Sequence, residues 1–217
     1  MILRSPNPVT LIGASDASPQ DVDECLTLAP TLVAADGGAA TVLAQNRVPE
    51  AVIGDFDSLP AEMRATLPTN RLHAIAEQET TDFEKCLHAI DAPLILAIGF
   101  TGRRIDHELA VYNALTRRPD RPCIVLGASD LVFLAPQKLT LDLEVGSRLS
   151  LFPMGPVTGR SDGLEWPIDG LNFAPNGRIG TSNRVTGPVL LEFDAPAMLV
   201  VMPRAALGAA ITALAGG

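Results

Sequence analysis

Gly54-Asp55-Phe56-Asp57-Ser58 puts two carboxylates two residues apart on what reads as a loop. Such a pair repels itself unless a cation or a tight hydrogen-bond network lies between the charges. A magnesium ion carrying a polyphosphate relieves that repulsion, because Mg²⁺ is held by one or two carboxylates plus phosphate oxygens. Three further polar islands follow apolar, strand-like runs: Asp36-Gly37-Gly38, Thr81-Asp82-Phe83-Glu84, and the stretch from Gly99 through Gly102, Arg103, Arg104 and Asp106 to His107. A lone Asp-x-Asp is enough to cap a turn, and Asp82 after Thr81 is enough to open a helix, where a carboxylate favours the dipole. Four islands in one half of the chain point instead to chemistry.

The elements that must carry these islands alternate between strand and helix. Val9–Ile12, Thr31–Ala35, Ala51–Ile53, Leu94–Ile98 and Cys123–Leu126 read as short buried strands. Ser18-Pro19 opens a helix as cap and first-turn proline, Pro60 starts another, and Thr81 with Glu84 has capping-box spacing for a helix from Asp82 to about Ile90. Ile105–Thr116 reads as a helix as well. This alternation predicts a mostly parallel, doubly wound α/β sheet with ligands bound beyond the carboxyl ends of its strands. All four islands fall at such ends.

After about Ala135 the pattern changes. Leu139–Val145 alternates apolar and polar residues, and Gly or Pro then recurs every few positions through Gly180. Short strands broken by turns predict a smaller, all-β C-terminal sandwich. The boundary is set near Pro136, giving an α/β domain over 1–135 and the sandwich over 136–217. Met198–Gly217 reads as a closing strand and a short terminal helix, since Pro203 and Arg204 split an otherwise apolar run.

Bulk properties narrow the classes. The 217 residues carry a net charge of −9 and no basic stripe, which argues against a nucleic-acid surface. Only Lys85 and Lys138 are lysines among 16 basic residues, and no P-loop motif occurs. Cys25, Cys86 and Cys123 are odd in number and far apart, which predicts reduced thiols and a cytoplasmic setting. No apolar run is long enough for a signal peptide or a bilayer span, so no membrane association is expected.

The islands occur in the order and spacing of the thiamine pyrophosphokinases, which the chain resembles from about Val9 to Val201. The resemblance rests on Asp36-Gly37-Gly38-Ala39, Gly54-Asp55-Phe56-Asp57-Ser58, Gln78 before Thr81-Asp82-Phe83, and Gly102-x-Arg104-x-Asp106-His107. Trp166-Pro167 and Gly180-Thr181-Ser182-Asn183 complete it in the second half. What the resemblance implies is transfer of a pyrophosphoryl group from ATP to the hydroxyl of thiamine, with Mg²⁺ as cofactor, in a homodimer with shared sites. Asp55, Asp57 and Asp106 become the metal set, and Asp82 or Asp106 the group that orients or deprotonates the hydroxyl. Asp36, Gly37, Gly38, Gly102, Arg104 and His107 become nucleotide contacts. Gln78, Trp166, Ser182 and Asn183 become contacts to thiamine, although Trp166 fits a core role equally well. Two positions depart from the family pattern: Arg103 stands where a glycine is usual, and Val111 where an asparagine is frequent, with Asn113 two places on. A pyrophosphokinase for another alcohol, such as a hydroxymethylpterin, and a thiamine or nucleotide sensor without turnover are the competing readings.

Overall fold

The structure is a computed structural model, and it describes residues 1–215. In chain order the strands are β1 (Leu3–Arg4), β2 (Val9–Ile12), β3 (Thr31–Ala35), β4 (Ala51–Gly54), β5 (Leu72–Ala74), β6 (Ile90–Asp91), β7 (Ile95–Ile98), β8 (Cys123–Leu126), β9 (Asp130–Leu134), β10 (Lys138–Leu141), β11 (Arg148–Pro153), β12 (Val157–Leu164), β13 (Asn172–Phe173), β14 (Gly180–Phe193) and β15 (Met198–Pro203). The helices are α1 (Pro19–Leu28), α2 (Gly38–Ala44), α3 (Ala61–Ala65), α4 (Asp82–Ala89), α5 (Ile105–Arg117) and α6 (Leu207–Ala215). The chain divides into two compact units, one of Met1–Ala114 with Val125–Gly127, the other of Leu115–Ile124 and the residues from Ala128 on.

The first unit is built on a sheet in the order β8-β7-β2-β3-β4-β5. The pairs β2/β3, β2/β7, β3/β4 and β4/β5 are all parallel. β2, β4 and β7 are buried at every position, the pattern of strands covered on both faces, so they read as unbroken apolar runs. Leu11, Ile12, Ile53 and Leu96 fill this core at 0% exposure, each worth about 1.5–3 kcal/mol of burial. Strand order reverses at β2, with β3 on one side and β7 on the other, and such a reversal opens a crevice at the carboxyl ends. α1 starts where the sequence dictates: the Ser18 hydroxyl accepts from the Asp21 amide, and the Asp21 carboxylate accepts from the Ser18 amide. A small parallel pair, β1 with β6, was not legible in the sequence.

The second unit is β-rich and antiparallel throughout its paired strands. It is not all-β, since α6 and the last residues of α5 belong to it. Where the Gly and Pro run ending at Gly180 predicts short strands broken by turns, β14 runs 14 residues without interruption. It does so by changing partners: its first residues pair with β11 across a register shift, and Leu190–Glu192 lie between β10 and β12. The missing amide of Pro188 falls just before this doubly paired stretch, where it costs no ladder bond.

Candidate active site

The carboxyl ends of β2, β3, β4 and β7 surround a cavity of about 420 Å³ within the first unit. Asp36, Asp55, Asp57, Asp82, Arg104 and His107 all line it. Gln78 and Gly37 line it too, while Gly38 lies beneath. A Cβ on Gly38 would sit 2.1 Å from the carbonyl oxygen of Ile12, so only glycine lets α2 start this close to β2. Gly54 does the same for the acids, since a Cβ there would come within 2.7 Å of the Asp36 Cβ.

Three carboxylates converge on the cavity floor: one oxygen each from Asp36, Asp55 and Asp57 lie within 4.8 Å of one another. Two of the residues that set this geometry hold left-handed backbone, Asp36 at φ 37° and Phe56 at φ 65°. Strain of this kind persists only where surrounding contacts impose it. Here the Asp57 amide donates to Asp55 Oδ1 at 3.3 Å, the Ser58 amide to Asp36 Oδ2 at 3.1 Å, and the Ser58 hydroxyl to Asp57 Oδ1 at 2.8 Å. Asp36 is 1% exposed, and its Oδ1 has no hydrogen-bond partner. Burial, reinforced by the charges of Asp82 and Asp57, pushes its pKa up to about 6 from an ordinary 3.8.

Asp55 is moved the other way. Its Oδ2 receives the Lys85 ammonium at 3.0 Å and the Gln78 amide at 2.9 Å, and Lys85 foremost lowers its pKa to about 2. The Lys85 side chain is 2% exposed and also reaches Asp82 Oδ1 at 3.1 Å. Asp82 begins α4, whose cap is Thr81, its hydroxyl accepting from the Glu84 amide. Burial raises the Asp82 pKa, partly offset by Lys85. Asp82 is therefore both the helix-start residue and a cavity group. Sequence reasoning missed Lys85 as a site residue, although one lysine three positions after Asp82 on an otherwise buried helical face was a readable signal.

The remaining predicted residues divide. Arg104 and Asp106 form a two-pronged pair, at 3.2 and 2.6 Å, with side chains 64% and 63% exposed. Asp106 is not among the converging carboxylates, and its pairing with Arg104 lowers its pKa. Gly102 takes φ +92° in open space, with its amide donating to the Glu108 carboxylate. Arg103 ties the same loop to the one after β2, donating to the Ala14 carbonyl at 3.1 Å. Val111 is buried and lines the cavity.

Trp166, Ser182 and Asn183 lie in the second unit. Asn183 is 7% exposed, and its amide group is spent internally. Its oxygen accepts from the backbone amides of Trp166 and Arg184, and its nitrogen donates to the Trp166 carbonyl. The Trp166 ring is 55% exposed, with the Arg184 guanidinium 5.9 Å from its centre, so it is no core residue. Ser182 is exposed at φ 62°, its amide held by the hydroxyl of the buried Ser150.

Two family models match the chain. Residues 22–126 match "Thiamin pyrophosphokinase, catalytic domain", and residues 137–198 match "Thiamin pyrophosphokinase, vitamin B1 binding domain". The chain is 30% identical over 156 residues to thiamine pyrophosphokinase 3 of Oryza sativa subsp. japonica, covering 63% of this chain and 58% of the relative. Thiamine pyrophosphokinase 1 of Arabidopsis thaliana matches with the same identity and coverage. The chain thus spans somewhat more than half the length of these relatives. The fold is similar to that of the thiamin pyrophosphokinase from Candida albicans, with TM-score 0.76, 16% identity, and coverage of 91% of this chain and 89% of that one. The enzyme from Geobacillus thermodenitrificans gives TM-score 0.72, 22% identity, and coverage of 90% and 96%. With both domain models matched in order and the acids of the cavity inside the first match, the chain belongs to the thiamin pyrophosphokinase family.

Proposed function

We propose that the protein is a thiamine pyrophosphokinase, moving the pyrophosphoryl group of ATP to the hydroxyl of thiamine to give thiamine diphosphate and AMP. The observation that carries this reading is the convergence of Asp36, Asp55 and Asp57, with one buried Asp36 oxygen lacking a partner, in a cavity that Asp82 and Arg104 also line. A buried, unpartnered carboxylate oxygen is costly in a protein that never meets a cation. The three acids fit Mg²⁺, which takes oxygen ligands and keeps waters and phosphates in its shell. Asp36 replaces Asp106 in the metal set that the motifs alone imply. When bound, Mg²⁺ would neutralise charge on the triphosphate.

The protein's own groups do the rest by positioning and charge, as phosphoryl transfer requires. Asp82 accepts the proton of the attacking hydroxyl while its other oxygen stays on Lys85. Its raised pKa suits a base better than the lowered pKa of Asp106. The hydroxyl oxygen bonds to the β-phosphorus, the bond from that phosphorus to the α,β-bridging oxygen breaks, and AMP leaves. Arg104 exchanges its exposed carboxylate partner for phosphate oxygens, which its fork matches. In the second unit, Asn183 holds the Trp166 backbone while the exposed Trp166 ring and Ser182 meet the acceptor.

A doubly wound sheet in the first unit, which the reversal of strand order at β2 supports, and a sandwich in the second are part of the proposal. A cytoplasmic, homodimeric enzyme is part of the proposal. The free, buried state of all three cysteines supports the first, and the prevalence of two-fold pairing the second. Among the described residues no helix is long and apolar enough to cross a membrane. The test is to incubate the protein with Mg-ATP and thiamine, and separately with a hydroxymethylpterin, and to identify the nucleotide released. AMP with thiamine alone supports the proposal. ADP means a simple kinase, AMP with the pterin alone a different acceptor, and no nucleotide product a binding role. Mixing Asp82→Asn and Asn183→Ala chains tests for a shared site: activity regained on subunit exchange supports it, and none rejects it.

A further inference from the structure

Lys85 is an expensive way to fill a helix. On α4, Phe83, Cys86 and Leu87 bury apolar side chains, whereas Lys85, like the adjacent Glu84, buries a charged one, and places it between Asp55 and Asp82. A buried ion pair is no more stabilising than well-packed apolar residues, so stability alone does not account for it. What Lys85 does geometrically is specific. With Gln78 it supplies two donors to one oxygen of Asp55, Oδ2, at 3.0 and 2.9 Å. The other oxygen, Oδ1, meets only the longer 3.3 Å contact from the Asp57 amide.

We propose that Lys85 is a positioning residue that sets the metal selectivity of the site, by holding Asp55 Oδ2 so that Asp55 offers a cation one oxygen rather than two. Ca²⁺ takes six to eight oxygens and commonly draws both from one carboxylate, whereas Mg²⁺ accepts a rigid six-fold shell that includes waters. Asp36 is restricted in the same way, because its Oδ2 accepts from the Ser58 amide while its buried Oδ1 is open. Asp57 Oδ1 accepts from the Ser58 hydroxyl. Each of the three acids thus has one oxygen held more firmly than the other, and Lys85 makes the strongest of these restraints. The site favours a small cation over a large one by its hydrogen bonds, before any substrate enters. This inference rests on Asp36, Asp55 and Asp57 being the metal-holding acids.

The experiment is calorimetric titration of MgCl₂ and of CaCl₂, without nucleotide or thiamine, into wild type, Lys85→Met, Lys85→Arg, Gln78→Leu and Asp57→Asn proteins. Loss of the Lys85 charge strengthens binding of both cations, so the ratio of their affinities is the readout. Lys85→Met moves that ratio toward Ca²⁺ by about tenfold, the worth of one charge-assisted contact. Gln78→Leu, at an exposed position that does not threaten folding, moves it the same way by less, and Lys85→Arg leaves it near the wild-type value. An unchanged ratio in Gln78→Leu and in any folded Lys85→Met, with Mg²⁺ binding intact, overturns the role of Lys85 and leaves the metal site standing. Full Mg²⁺ binding by Asp57→Asn, or none by the wild type at millimolar concentration, overturns the metal site itself.

Discussion

The cavity floor and the Gly102–His107 strip carry the same kinds of residue, acids and bases, and treat them in opposite ways. On the floor, Asp36 and Lys85 are buried, Asp55 has three donors, and the backbone is bent into left-handed turns to bring carboxylates together. On the strip, Arg104 and Asp106 are mostly exposed and bonded to each other, with nothing holding either toward the floor. The floor's charges are fixed before a ligand arrives, which is how a protein preorganises charge stabilisation. The strip's charges are loosely kept and available to a ligand that brings its own. An exposed pair contributes little to stability, so breaking it costs little.

Removing a floor charge should have the largest effect. Asp57→Asn should lower the rate of AMP formation by roughly 10²–10³, the loss seen when a preorganised electrostatic group is removed, with the fold intact by circular dichroism. Near-normal turnover with unchanged Mg²⁺ dependence would remove Asp57 from the metal set.

The next effect is on stability and comes from Asp36. Its folded pKa of about 6 lies above an ordinary 3.8, so between these values the folded state holds more protons than the unfolded one. Metal-free wild type should therefore lose stability as pH rises from about 4 to about 6, by up to about 3 kcal/mol at 1.36 kcal/mol per pKa step. Asp55 acts with the opposite sign: its pKa of about 2 contributes stability above pH 4 that is lost as pH falls toward 2. Urea midpoints measured with a chelator across pH 4–7.5 should show the Asp36 loss in wild type and not in Asp36→Asn. Added Mg²⁺ should erase the difference, and parallel curves for the two proteins would contradict the assignment.

The strip should respond in affinity and not in stability. Arg104→Ala should raise the KM for ATP by about tenfold, the cost of a lost charge-assisted contact, while Tm stays within about a degree. A large drop in Tm would make Arg104 part of the scaffold and collapse the contrast. The smallest effect belongs to Arg103→Gly, which removes the tie to Ala14. It should change the KM for ATP by about two- to threefold, in line with one exposed hydrogen bond of about 1 kcal/mol or less.

The floor was far more legible in the sequence than the strip or the second unit. Asp36, Asp55, Asp57 and Asp82 sit at strand ends and a helix cap that local signals define, and parallel strands bring their carboxyl ends together by rule. Whether Asp106 joins them depends on which partner its side chain finds, and its neighbour Arg104 two residues away wins that competition. The role of Lys85 depends on Asp55, 30 residues earlier, and on its own burial, which no local pattern reports. In the second unit, glycines and prolines at turn-like density concealed β14, because a long strand that changes partners tolerates them where the ladder is interrupted. Asn183 stood out through the family resemblance alone, and its bonds to the backbone of Trp166 and Arg184, the first of them 17 residues away, are reported by no local pattern.

Where the divalent ion sits decides the role of every acid on the floor. The most direct test is a crystal structure of the protein soaked with MnCl₂ and a non-hydrolysable ATP analogue, read from the anomalous signal of manganese. The expected result is a peak among the carboxylates of Asp36, Asp55 and Asp57, with Lys85 still on Asp55 and Arg104 turned from Asp106 to phosphate. A peak on Asp106 with Asp36 left unligated would contradict it.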